Sequence, residues 1–498
     1  MNQAAWLLLL ALGLPAQQRL LATHYFYWYR WPDAHFNEPG ARGPEGHLHH
    51  FPAPEEVSWR SAAWHEQQFR AMAGCGIDVA LPVYWGFPEV ETITPHLAFA
   101  HEGLPPMVEA LRKLEAAGER GIRLGLFFDT SSLQNDLRRI EPRGGKPDLT
   151  TSSGKQLFTR TIEEFFARVP RTFWAHHRGG ALCVLYAAGF AAKWDVTLGP
   201  TAKQAFAARF PGESLCLVAD QSWGQIGQDL TTRWGGALFG PVTLPHVAQI
   251  GPGYDDSPVP GRTTPFRDRE DGRFYEYSWR EALKTRPELV LLETWNEMHE
   301  GTEICATKET GTRYLELTRH WNQLWRADAE LPPAVTLRWP FMRQRRDDSW
   351  GSEVKAAPGV SLDFTPAEPV RSGLREVAWE DGRFELAGGV LVARRTQAVG
   401  YVYFQVADAW RFEQEGEFEL DVELVHAGAI ELEYDSTRRE ATQAGAYTRT
   451  WPLRRDGGRL VFALPKAFFG NRQNGRADFR LVTHGELRLR KLSLRATD

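Results

Sequence analysis

A chain of 498 residues exceeds what one hydrophobic core usually holds, so two or more domains are expected. Its net charge of -5 carries no basic excess, which argues against nucleic acid or an anionic membrane surface as partner. The 19 Trp residues tilt the composition towards carbohydrate, whose apolar ring faces stack on aromatic rings, although Trp fills barrel and sandwich cores as well.

At the N-terminus, residues 4–14 read as the apolar core of a secretory signal, with Leu14-Pro-Ala16 as a small-residue cleavage site. A signal peptide over 1–16 and a secreted or periplasmic location are therefore expected; the competing reading is a buried first element of the fold. The run is too short to span a bilayer and no later segment has that length, so no membrane insertion is expected. Cys75, Cys183, Cys216 and Cys305 are widely spaced and form no CxxC pair, which suits buried free thiols better than a disulfide framework.

Eight strand-like runs follow: Thr23–Tyr29, Ile77–Tyr84, Ile122–Asp129, Ala181–Ala187, Leu215–Asp220, Gly236–Phe239, Val247–Ile250 and Leu289–Trp295. Most are continuous apolar stretches, as strands buried on both faces should be. Helical periodicity fills several gaps between them, over Trp64–Ala73, Pro105–Ala117 and Leu157–Val169, the last stopped by Pro170. Strand and helix alternating eight times predicts an α/β fold, a (β/α)8 TIM barrel over residues 20–330. A doubly wound open sheet is the alternative. Residues 331–370 are rich in Pro and charge and read as a linker. From 371 to 498 the period becomes two, as in Phe418, Leu420, Val422 and Leu424 alternating with Glu417, Glu419, Asp421 and Glu423, which predicts a C-terminal antiparallel β-sandwich domain. Trp410 and Tyr447 in that domain are candidates for sugar stacking or for its core.

The chemistry concentrates after the last barrel run, in Glu293-Thr-Trp-Asn-Glu-Met-His-Glu-Gly301. Glu297 and Glu300 stand three residues apart where a strand should end, and in a parallel barrel the C-terminal strand ends form the active-site face. Hydrolysis of a glycosidic bond needs such a pair, one carboxyl to give a proton and one carboxylate to attack or to remove a proton. Polar and aromatic residues recur after other strands: Tyr27, Tyr29, Tyr84, Trp85, Asp129, Asp220, Tyr254, Asp255 and Asp256. Singly, each acidic one reads as a helix cap or turn. As a set with Trp295, Asn296 and His299 they suggest a substrate-binding cleft. His299 reads as a positioning or structural residue rather than a metal ligand, and Glu293 as a paired interior carboxylate. The loop His47-Leu-His-His50 reads as a rim loop, with no motif beside it that supports a metal site.

Trp295-Asn-Glu-Met-His-Glu-Gly301 resembles the Trp-Asn-Glu-Trp-x-Glu-Gly signature of glycoside hydrolase family 99 and its family 71-like relatives. Tyr25-Phe-Tyr-Trp-Tyr29 is similar to the aromatic first strand of that group, and Pro252-Gly-Tyr-Asp-Asp256 with Arg267, Gly272, Tyr275 and Trp279 to its seventh-strand region. The resemblance implies a barrel of retaining, endo-acting enzymes that cleave α-linked polysaccharides such as α-mannans. It implies that Glu297 deprotonates the substrate 2-hydroxyl, giving an epoxide-like intermediate, and that Glu300 is the general acid/base. Met298 stands where the family has Trp, a change expected to alter a subsite wall. The function expected is thus a glycoside hydrolase acting as a monomer on an oligo- or polysaccharide, with no metal and no cofactor. A non-catalytic carbohydrate-binding protein and a metal-dependent hydrolase are the alternatives.

Overall fold

The computed structural model describes residues 19–33, 35–36, 47–86, 98–135, 145–394 and 399–497. The expected signal segment over 1–16 lies outside the described residues. The chain divides into two units, Met1–Arg262 with Arg267–Arg338, and Thr263–Phe266 with Trp339–Asp498.

Among the described residues the first unit is built on the parallel strands β1 (Leu20–Tyr25), β2 (Val79–Tyr84), β3 (Leu126–Phe128), β4 (Gly180–Leu185), β5 (Leu215–Asp220), β6 (Leu230–Thr232), β7 (Val247–Ile250) and β8 (Leu289–Leu292), with the short Arg123–Leu124 also pairing parallel to β2. Apolar side chains dominate both faces of these runs, and β1, β2, β4 and β5 are buried along their whole length. They pair in chain order from β1 to β6, and β8 returns to β1 with Leu20 opposite Leu289 and Thr23 opposite Leu292. Among the described residues no backbone ladder joins β6 to β7. Side chains span that gap: Thr232 Oγ1 donates to Gln249 Oε1, and the Glu293 carboxylate accepts the Gly235 and Ala237 N–H groups at 2.8 and 3.0 Å. The result is a nearly closed parallel barrel sheet.

Between the strands lie α1 (Ala62–Gly74), α2 (Leu104–Ala116), α3 (Ser152–Arg168) and α4 (Leu198–Arg209). Ser61 caps α1 by accepting the Trp64 N–H, and Thr151 caps α3 by accepting that of Gly154. In α3, Phe158, Ile162, Phe165 and Phe166 recur at helical spacing and enter the core. The expected sixth strand is corrected: Gly236–Phe239 is one helical turn, and the strand is Leu230–Thr232 just before it. A four-residue apolar run carries no usable period, so its residues fit either form. No helix among the described residues is long and apolar enough to cross a membrane. All four cysteines are buried and free.

The second unit holds two antiparallel sheets. One contains Gly359–Asp363, Leu487–Ala496, Gly416–Ala427 and Arg459–Ala467; the other contains Leu374–Val377, Gly400–Val406, Phe479–Thr483, Ile430–Tyr434 and Thr448–Thr450. Phe418, Leu420, Val422 and Leu424 are buried, as their alternation requires, and enter one apolar core with Phe404 and Leu481 from the other sheet. Residues 339–370, expected as part of a linker, belong to this unit instead. Gly359–Asp363 pairs with Leu487–Ala496, so Pro and charge flank a strand there rather than mark free chain. Trp410 and Tyr447 are both buried; the Trp410 indole N–H donates to the Ala357 carbonyl at 2.9 Å.

Candidate active site

A cavity of about 360 Å3 opens at the C-terminal ends of the barrel strands. Its walls are set by the segments that follow the strands: Phe26 and Trp28 after β1, Trp85 after β2, Asp129 and Ser131 after β3, Tyr186 and Phe190 after β4, and Trp234 after β6. Val259 and Arg262 follow β7, and Glu297, His299 and Glu300 follow β8. The two motif carboxylates therefore share one cavity.

Glu297 is 3 % exposed. Its backbone N–H donates to Thr294 Oγ1 at 2.8 Å, which fixes the turn that presents it. Its Oε1 lies 3.4 Å from His299 Nδ1, and its Oε2 has no hydrogen-bond partner among the described residues. Glu300 is more open, with its side chain 21 % exposed, and Arg262 Nη1 donates to its Oε1 at 2.6 Å. Burial, and then the neighbouring Glu297 charge, push the Glu300 carboxyl up to about 7, against the opposing pull of Arg262. Tyr254 donates its hydroxyl to Asp256 Oδ2 at 3.1 Å, and Arg262 Nη1 lies 3.6 Å from the same oxygen, so this buried acid helps hold the guanidinium at Glu300. Burial and the Glu300 charge raise the Tyr254 hydroxyl above its ordinary value, keeping it a neutral donor.

Since Arg262 opposes the rise at Glu300, Arg262→Gln is expected to lift that carboxyl further. A general-acid role at Glu300 requires the protonated form, so under that role activity is expected to fall as pH rises through about 7 in the parent chain. In the variant that alkaline fall should move upward by about one pH unit, read from the pH profile of kcat/KM.

Of the residues expected at the site, Trp85, Asp129 and His299 line the cavity with the two glutamates. The Trp85 indole N–H donates to Asp129 Oδ2 at 2.6 Å, and burial raises the Asp129 carboxyl above the usual carboxylate range. Others stand one layer back. Tyr29 touches His299, with 3.1 Å between Oη and Nδ1. Asp220 accepts the Trp234 N–H at 2.7 Å and so places a cavity wall. The Asp255 N–H donates to the Glu300 carbonyl at 2.8 Å, while its carboxylate accepts the Ser257 N–H at 2.9 Å. Asn296 is fully buried, taking the Phe26 N–H at 2.8 Å and donating to the Phe26 carbonyl at 2.7 Å. Asn296→Ala would orphan both backbone groups. It is expected to cost about 2–4 kcal/mol, seen as a lower thermal midpoint and a lower denaturant midpoint.

Three expected contacts are corrected. Tyr27 points away from the cavity, its hydroxyl donating to the Ala100 carbonyl at 3.1 Å. Tyr84 is packed in the core against Phe165, and Trp295 is buried with its indole N–H on Gln68 Oε1 at 2.9 Å. Past the first strand Phe26 and Trp28 line the cavity, not the tyrosines between which they alternate, so the aromatic run has the expected place and the opposite parity. Met298 lies in the barrel core rather than in a subsite wall. Besides Phe26 and Trp28, the cavity residues Tyr186, Phe190, Trp234 and Arg262 are not among the expected site residues. Trp234 carries a signal, an aromatic residue two positions past the end of the strand Leu230–Thr232, but the sixth strand is expected after it, at Gly236–Phe239.

Around the rim, His49 pairs with Glu303, and His50 Nδ1 lies 2.6 Å from Glu309 Oε1. Among the described residues no group of three or more His, Cys, Asp or Glu is arranged to hold a metal ion. Glu293, expected as a paired interior carboxylate, is buried and pushed up to about 7 by that burial, against the N–H donors of Gly235, Gly236 and Ala237.

Residues 16–331 match the family described as "Domain of unknown function (DUF5010)". The chain belongs to that family. By sequence it is also similar to the human glycoprotein endo-alpha-1,2-mannosidase-like protein, 39% identical over 93 residues, which cover 16% of this chain and 20% of the relative. The mouse glycoprotein endo-alpha-1,2-mannosidase is 36% identical over 95 residues, 16% of this chain and 21% of its own. The chain thus spans about a fifth of the length of the curated relatives it matches. Among solved structures, the GH99 endo-alpha-mannosidase of Bacteroides thetaiotaomicron aligns with a TM-score of 0.46 and 14% identity, covering 62% of this chain and 97% of that one.

Proposed function

We propose that this chain is a glycoside hydrolase that cleaves an α-linked polysaccharide or glycan, with a (β/α)8 barrel carrying the chemistry and a β-sandwich as its second unit. Glu297 takes the proton of the substrate 2-hydroxyl while that oxygen attacks the anomeric carbon. Glu300 gives its proton to the leaving glycosidic oxygen as the bond breaks. An epoxide-like intermediate results. Glu300, now a carboxylate, removes a proton from water, which opens the intermediate at the anomeric carbon, and Glu297 returns its proton to the 2-oxygen. Two displacements at one carbon give retention of configuration.

One observation carries this reading: the two motif carboxylates line the same cavity, and burial beside Glu297 brings Glu300 up to about 7, the range a general acid needs near neutral pH. The aromatic walls, Trp28, Trp85 and Trp234 among them, suit the apolar faces of sugar rings. The names of the sequence relatives point to α-mannosides as the first substrates to try. Export under the apolar segment at residues 4–14, and action as a monomer, complete the proposal.

The test is release of reducing ends from a panel of α-glycans, α-mannan included, by the parent chain, Glu297→Gln and Glu300→Gln. Release by the parent and its loss in both variants is expected. Binding without release from any glycan would favour the non-catalytic alternative, and loss of release with a chelator the metal-dependent one.

A further inference from the structure

Beyond the two glutamates, the loop after β8 carries a third group aimed at the chemistry. Tyr29 is fully buried and its oxygen is anchored, because the Met298 N–H donates to Oη at 3.0 Å. Its ring stacks on His299 with centroids 5.6 Å apart and planes 11° from parallel. His299 Nδ1 then lies 3.1 Å from Tyr29 Oη and 3.4 Å from Glu297 Oε1. The imidazole is thus clamped between a fixed phenol and one oxygen of the carboxylate.

We propose that His299, held by Tyr29, is the positioning residue of Glu297: its Nδ1–H faces Oε1 and leaves Oε2 as the oxygen that takes the substrate proton. This role rests on the glycosidase reading above. The end of a glutamate side chain turns about a broad, nearly two-fold torsion, so burial alone does not select which oxygen meets the substrate. A donor on one oxygen does. A bare Nδ1 would set a lone pair against an ionised carboxylate oxygen. With its proton on Nδ1 the ring can donate to Oε1 while the 3.1 Å contact to Oη holds it in place; were the Tyr29 hydroxyl to donate to Nδ1 instead, the ring proton would sit on Nε2, so the tautomer decides between the two. Oε2, the oxygen without a hydrogen-bond partner among the described residues, is then fixed as the base.

Two variants of the full chain separate this role from packing. His299→Leu keeps the bulk and removes the donor, whereas His299→Asn returns an amide N–H close to the Nδ1 position. In His299→Leu, kcat on an α-glycan is expected to fall about 10²-fold with KM little changed, the effect of a misplaced catalytic group. His299→Asn should recover most of that loss. Long-range 1H–15N spectra of the 15N-histidine-labelled protein, with the signal assigned by its absence from His299→Asn, should show His299 as the Nδ1–H tautomer. An Nε2–H tautomer, or an Asn variant as slow as the Leu variant, would overturn the proposal. Absence of turnover in the parent chain would instead defeat the glycosidase reading, and the tautomer would still decide the placement of the proton.

Discussion

Glu300→Gln is expected to lower kcat/KM on a natural α-glycan by about 10³-fold, the middle of the range for loss of a general acid. On an aryl α-glycoside with an acidic phenol as leaving group the first step should be nearly spared, because that oxygen departs without a proton. The remaining loss then lies in the second step, where no carboxylate is left to deprotonate water. Azide, a nucleophile that needs no deprotonation, should restore turnover and yield a glycosyl azide of retained configuration. The substitution keeps the shape of the side chain and loses both the acidic proton and the ionised form, while Arg262 keeps an oxygen to bind at the position it now reaches at 2.6 Å. An equal loss on aryl and natural substrates would remove Glu300 from the acid role.

Glu297→Gln should be more severe, about 10⁴-fold, because a neutral amide cannot accept the 2-hydroxyl proton in the first step. Neither a better leaving group nor azide should rescue it. The same logic applies to the substrate: a 2-deoxy glycoside has no internal nucleophile and should be inert to the parent chain while still binding in the cavity. Turnover of the 2-deoxy compound at a normal rate would assign Glu297 a different task. Folding should survive the change, since the Thr294 contact that sets the turn uses the backbone N–H of residue 297 and not its carboxylate.

Much of the barrel was legible because strands buried on both faces must be apolar along their length. Leu215–Asp220 and Val247–Ile250 are observed with the expected bounds. The errors have local causes. The first strand ends at Tyr25, not Tyr29, because the aromatic run continues past the sheet to build the cavity wall. The last strand ends at Leu292, and Glu293–Trp295 already belong to the loop that carries the glutamates. An alternating aromatic segment has a period of two but no marker of its phase, so Tyr27 and Tyr29 are expected at the cleft where Phe26 and Trp28 line it. That Glu297, Glu300 and Asp129 line one cavity was legible from their places after strands. Arg262 was not, because its role depends on a long loop after β7 folding back onto Glu300, and no local pattern encodes such a return. The acid at 220 was legible as polar, while its work, holding Trp234 by its backbone, is a tertiary contact.

The most direct measurement is a crystal structure of Glu300→Gln with an α-linked oligosaccharide bound. It should show the scissile glycosidic oxygen within hydrogen-bonding reach of the side chain at 300 and the adjacent 2-hydroxyl on Glu297 Oε2. A sugar seated outside the cavity, or lying in it with both of those side chains out of reach of the glycosidic linkage, would contradict the account.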